Sequence, residues 1–191
     1  MRREVEHAGG LSPVVVATIF MIAGEVMLFA GLVFGFWVLR LGAPVWPPPL
    51  QPRLPVAITG VNTLVLLGSA VAMVVALHAA ARTDRRRLVR WLGVTVGLGA
   101  LFLGVQGYEW VRLVRYGLTA SSGLYGATFY TLVGAHAAHV VVALGWIAAM
   151  LALAAGGRWS PDRAAPLRAC AAYWSFVVSL WPVLYVSVYL A

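Results

Sequence analysis

Five stretches of this 191-residue chain are long and apolar enough to cross a lipid bilayer. They run over about residues 14–39, 56–80, 91–111, 124–154 and 169–190. A helical span needs roughly 20 mostly apolar residues. In hydrocarbon the backbone must satisfy its own polar groups, and an open chain does so by forming helices. The expected fold class is therefore all-α: one transmembrane domain over residues 1–191, an integral membrane bundle of five helices. The fourth run would be roughly 46 Å long at the helical rise, so it must tilt or protrude from the bilayer. Composition agrees: 62% of residues are hydrophobic and 10% are charged, against about 25% charged in an average soluble domain.

The charged residues mark the ends of the spans. The net charge of +8 comes from arginines, without a single lysine. A basic balance of this kind in a soluble chain would suggest a nucleic-acid partner. Here the arginines cluster between the apolar runs, as membrane anchors and topology signals do, and no nucleic-acid role is expected. With the N-terminus inside, ten arginines fall on the inner side (2, 3, 82, 85, 86, 87, 90, 158, 163 and 168). Four fall outside (40, 53, 112 and 115). The positive-inside rule then predicts a cytoplasmic N-terminus and an outer C-terminus. Trp37, Trp46, Trp91, Trp110 and Trp159 fall near span ends, where an aromatic belt belongs. The first run is too long for a signal-peptide core and is read as a retained span. Residues 41–55, LGAPVWPPPLQPRLP, carry six prolines and read as an extended loop. The single cysteine, Cys170, rules out a disulfide within the chain and reads as a small packing residue.

Few polar residues enter the spans. Glu25 is the twelfth residue of the first, about 16 Å along it by helical rise. His136 and His139 fall near the middle of the fourth, three residues apart and so on one face. A buried carboxyl and an imidazole at matching depth can share a hydrogen bond or a proton. Either histidine could be the partner, and the pair could serve structure or proton exchange. Glu25 has no arginine or lysine in its run, so it is expected to be mostly protonated at neutral pH. A bis-histidine haem would need ligands at like depth on two facing helices. The remaining span histidine, His78, lies near the end of the second, so no haem or metal site is expected in this chain. Glu109 and Arg112, at the outer end of the third span, form an expected interfacial ion pair at i, i+3. Asn62 is expected to hydrogen-bond across helices, and Pro182 to kink the last span.

The third span carries Gly93, Gly97, Ala100, Gly104 and Gly107 at spacings of 4, 3, 4 and 3, all on one face. Small residues at this period let helix backbones approach closely in lipid. The stripe predicts tight packing of this helix against a neighbour. Gly31 and Gly35 form a shorter pair of the same kind on the first span.

Several motifs, in order, resemble subunit III of the haem–copper terminal oxidases. GEVMLFAGLVFGFW (24–37) is similar to that family's glutamate-bearing helix, and VWPPP (45–49) to its W-P-P loop. VNTLVLL (61–67) and LGVQGYEW (103–110) resemble its N-T-x-x-L-L and G-x-Q-x-Y-E-Y segments. GLYGATFYTLVGAHAAHV (123–140) is the most specific match, to Y-G-S-x-F-Y-x-x-T-G-x-H-G-x-H-V. YWSFVVSLWPVLYVSVYL (173–190) resembles the closing Y-W-H-F-V-D-x-x-W-x-x-L-Y-x-x-Y, with Ser175 and Ser179 where histidine and aspartate are usual. The chain resembles the five-helix form, without the two N-terminal helices of the seven-helix members.

The resemblance implies a non-catalytic subunit of a membrane oxidase that reduces oxygen to water and translocates protons. Such a subunit packs on catalytic subunit I, beside subunit II, and supports sustained turnover and proton uptake. It holds no haem or copper of its own, those lying in the partner subunits, and it binds phospholipid. Glu25 matches the family's intramembrane carboxyl, and His136 with His139 its paired histidines. A bacterial inner (cell) membrane location follows. The rivals are an accessory subunit of a nitric oxide reductase and a small transporter. The second would need a polar path or broken inverted repeats, and the sequence shows neither.

Overall fold

The computed structural model describes residues 12–49, 51–160 and 163–190. Among them are five long helices and no strand: α1 (Pro13–Gly42), α2 (Val56–Ala81), α3 (Arg85–Arg115), α4 (Leu124–Ala155) and α5 (Ala164–Tyr185). All five are long and apolar enough to span a membrane, α5 counted together with the turn that follows it. Pro13 opens α1 at a position where its missing N–H costs nothing. The Asp84 carboxylate accepts the backbone N–H of Arg87 at 3.0 Å and caps α3. Arg2 and Arg3, which enter the topology argument, lie outside the described residues.

Two boundaries differ from the sequence expectation. α3 begins at Arg85 rather than near residue 91, so Arg85, Arg86, Arg87 and Arg90 lie on its first turns and the α2–α3 connection is only Arg82–Asp84. Arginine is a good helix former, so nothing at 85–90 stops the helix short of its Asp cap. α5 begins at Ala164 and passes into a π-helical turn, Val186–Leu190. Pro182 sits inside α5, and the change of register starts one turn after it. Proline leaves the carbonyl four residues back without its helical donor, and neighbouring turns readjust.

Helices α2, α3, α4 and α5 form a closed ring in which each packs on the next. α1 lies outside the ring, against α5 and, more sparsely, α4. The ring's interior is filled by Trp174, Trp181, Phe102, Phe129, Leu66 and Met73. The face of α3 that enters it is Leu92, Thr95, Gly99, Phe102, Gln106 and Glu109, at helical spacing. Gly99 is the point of close approach: a Cβ there would lie 2.6 Å from Leu144 Cδ2 and 2.9 Å from the Trp174 ring.

Interior polar groups bind between helices. Asn62 donates its amide to the Phe102 carbonyl at 3.0 Å, joining α2 to α3 as expected. The Trp181 indole donates to Thr63 Oγ1 at 2.9 Å, and Gln106 donates to the Tyr189 hydroxyl at 2.9 Å. Cys170 is buried among the packing residues. The proline-rich loop closes one end of the bundle. Its Trp46 meets Phe36 and Tyr125 edge-on, with ring centroids 5.7 and 5.1 Å apart.

The small-residue stripe takes a direction that its spacing could not fix. Gly97, Ala100 and Gly104 are exposed, Gly93 and Gly107 half-buried, and a Cβ at any of the four glycines would meet nothing within 4 Å. The close packing expected of the stripe is therefore not made among the described residues. Gly99, about 120° round the helix from the stripe, makes that contact instead. Gly31 and Gly35 also have open space around them.

Candidate functional site

Glu25 lies thirteen residues into α1, about 18 Å along its axis. The face that carries it also carries Phe29, one turn on, which is 1% exposed and turned toward α4. On α4, His139 Nε2 stands 2.9 Å from Glu25 Oε2. The Phe29 ring meets the His139 ring edge-on at 5.1 Å between centroids, which holds the imidazole in place. Of the two candidate histidines, the structure brings His139 to the carboxyl.

The other imidazole nitrogen fixes how protons are counted. His139 Nδ1 is 2.6 Å from the Ala135 carbonyl oxygen, one turn back on α4. A carbonyl can only accept, so Nδ1 carries a hydrogen. Nε2 then either accepts from a neutral carboxyl or, protonated, donates to a carboxylate. In both forms the pair as a whole is neutral and one proton lies between the two atoms. Net neutrality makes the pair tolerable at a depth where a lone charge costs several kcal/mol or more. The side chains are about a fifth exposed, 22% for Glu25 and 18% for His139, so the pair opens to the edge of the bundle along the α1–α4 seam. Such an arrangement can hold a proton, and pass it between the two side chains without building net charge in the membrane.

His136 does something else. It is fully buried, its ring against Trp181 at 5.0 Å and near Phe102 at 6.4 Å. Neither of its nitrogens meets a hydrogen-bond partner among the described residues. Three residues along a helix turn the side chain by about 60°, which is enough to place His139 on the α1 seam and His136 inside the ring.

Arg112 donates to Glu109 at 3.0 Å, the i, i+3 pair expected from sequence, with Glu109 almost wholly buried and Arg112 open. Arg112 also lies over the Tyr108 ring at 5.9 Å. Ser175, at the histidine of the family pattern, is exposed on α5; counted residue by residue, the pattern's aspartate falls on the buried Val178 and not, as expected, on Ser179, which is exposed. No group of three or more His, Cys, Asp or Glu side chains converges among the described residues. The residues that sequence reasoning missed are Phe29, the clamp on His139, and Gly99. Phe29 carried a usable signal, four residues from Glu25 on the same helix face.

The profile of the cytochrome c oxidase subunit III family matches residues 9–191. Cytochrome c oxidase subunit 3 of Corynebacterium diphtheriae is 34% identical over 178 residues, 91% of this chain and 86% of that protein. The Bacillus subtilis protein of the same name is 33% identical over 170 residues, 88% of this chain and 82% of its own length. That of Sus scrofa is 32% identical over 178 residues, 90% of this chain and 67% of its own. The chain, with its α1–α4 carboxyl–imidazole pair inside the matched region, belongs to the cytochrome c oxidase subunit III family.

Proposed function

We propose that this chain is the non-catalytic third subunit of a membrane terminal oxidase, which reduces oxygen to water and translocates protons. The observation that carries the reading is the family match, which spans all five helices. Family membership makes the chain part of a multisubunit oxidoreductase complex, and its helices make it a multi-pass membrane protein. On this reading it packs against catalytic subunit I, in company with subunit II, and supports sustained turnover and proton uptake there. Haem and copper belong to those partners; this chain has no cofactor of its own and binds phospholipid. The location is the bacterial inner (cell) membrane, with the N-terminus cytoplasmic, in keeping with the arginines at 82–90 and 158–168 on one side.

The glycine stripe of α3 supports an inter-subunit contact. It presents a side-chain-free face outward, where a partner helix could approach closely. The Glu25–His139 pair supports a proton-handling role, because it holds one proton between two side chains in a unit that is neutral overall.

The test is a tagged pull-down from native membranes in mild detergent, followed by an absorption spectrum and metal analysis. The expected result is an oxygen-consuming complex with a-type or o-type haem and copper. A haem b protein with non-haem iron and no copper would overturn the oxidase reading in favour of nitric oxide reductase. A colourless chain on its own would remove it.

A further inference from the structure

We propose that the α2–α3 end of the bundle holds a site for an anionic phospholipid, with the phosphate between Arg82 and Arg87 and one acyl chain along α2. A cavity of about 410 Å³ lies at the short α2–α3 connection, lined by Val75, His78, Ala79, Arg82, Asp84 and Arg87. The guanidinium groups of Arg82 and Arg87 make no hydrogen bond or ion pair to any described residue. Arg85, beside them in sequence, turns away and donates to the Ala154 and Ala155 carbonyls at 2.7 and 2.5 Å, tying down the end of α4. Its neighbours are left for a ligand.

The cavity carries one acid. Asp84 accepts the Arg87 backbone N–H, and its charge is outweighed by the two arginines. His78 donates Nδ1–H to the Val74 carbonyl at 2.8 Å, which leaves Nε2 to accept from a glycerol hydroxyl.

What identifies the ligand as a lipid rather than a free anion is the surface that leads into the cavity. Leu64, Leu67, Val71 and Val74 follow each other at helical spacing on one exposed face of α2, with Leu64 at 67% and Val71 at 65%. The same face continues through His78 to Arg82. Leu64 to Val74 rises about 15 Å, which is half of a hydrocarbon core of about 30 Å. An apolar track one leaflet deep thus ends in two cations at the depth where a headgroup lies. Basic clusters at this position attract anionic lipids through charge, and here the cavity supplies a defined seat. The proposal rests on the membrane-spanning reading and not on the oxidase assignment, so either can fail without the other.

The experiment compares binding of fluorescent phosphatidylglycerol and phosphatidylcholine to the detergent-solubilised protein in its native complex. The wild type is expected to prefer phosphatidylglycerol, and the double variant Arg82→Gln, Arg87→Gln to lose that preference by on the order of tenfold. Arg82→Lys with Arg87→Lys should keep most of it, and Arg86→Gln with Arg90→Gln, outside the cavity lining, should lose far less. Millimolar inorganic phosphate should not displace the lipid. Equal binding of the two lipids, an equal loss in the Arg86, Arg90 pair, or displacement by inorganic phosphate would overturn the proposal.

Discussion

α1 and α5 are both membrane-spanning helices, yet they hide very different shares of themselves. Of the most apolar window of α1, 11% is buried within the chain; for α5 with its π turn the figure is 50%. α5 places Trp174 and Trp181 wholly inside the ring, whereas α1 leaves Phe20, Met27 and Phe34 more than two-thirds exposed. In water that exposure would pull α1 onto the ring. In lipid it exerts no such pull, because hydrocarbon chains solvate these side chains as well as a neighbouring helix does. α5 is held by shape: rings against Gly99, and an indole donated to Thr63. Among the described residues, α1 is held by few packed side chains and by one directional contact to another helix, Glu25 to His139. The outer helix therefore takes its register from a polar pair, and the inner ones take theirs from close packing.

That contrast can be broken from either side. The largest effect should come from the ring. Gly99→Val forces methyl groups into Leu144 and the rigid Trp174 ring and should lower stability by about 1–3 kcal/mol, read as a fall in thermal unfolding temperature in detergent. His139→Ala removes the seam contact and should cost about 1 kcal/mol. It should loosen α1 while the ring stays intact, visible as faster hydrogen exchange confined to α1. Glu25→Gln should be milder, a few tenths of a kcal/mol on the scale of membrane hydrogen bonds, since its amide can still donate to Nε2. A loss as large as that of His139→Ala would show that the ion-pair form dominates. Smallest for the chain alone should be Gly97→Leu with Gly104→Leu, within about 0.5 kcal/mol of wild type because both positions face open space. The same variant should lose its partner subunits in the pull-down if the stripe is an inter-subunit face.

Much of this architecture was legible in the sequence, because hydrophobic length fixes spans and the medium fixes helices. The approximate depths of Glu25 and the two histidines followed from counting along those spans. Which histidine meets Glu25 did not follow. His136 and His139 share a face to within about 60°, and only the position of α1 outside the ring separates them. The stripe on α3 was legible as a face but not as a direction, since periodicity says which residues align and not what lies opposite. Gly99 was hidden for the same reason: a single glycine carries no period of its own, and its meaning lies in Trp174, some 75 residues away in sequence. The early start of α3 was obscured by its arginines, which read as a loop by charge yet favour helix by propensity.

The central claim is that Glu25 and His139 form one neutral unit with a single shared proton that ties α1 to the ring. Infrared spectroscopy of the purified protein at pH 7, wild type against Glu25→Gln, tests it most directly. The account predicts an infrared signal of Glu25, carboxyl or carboxylate, that vanishes in the variant and shifts in His139→Ala, where the group loses its partner. A Glu25 signal that His139→Ala leaves unchanged would contradict it.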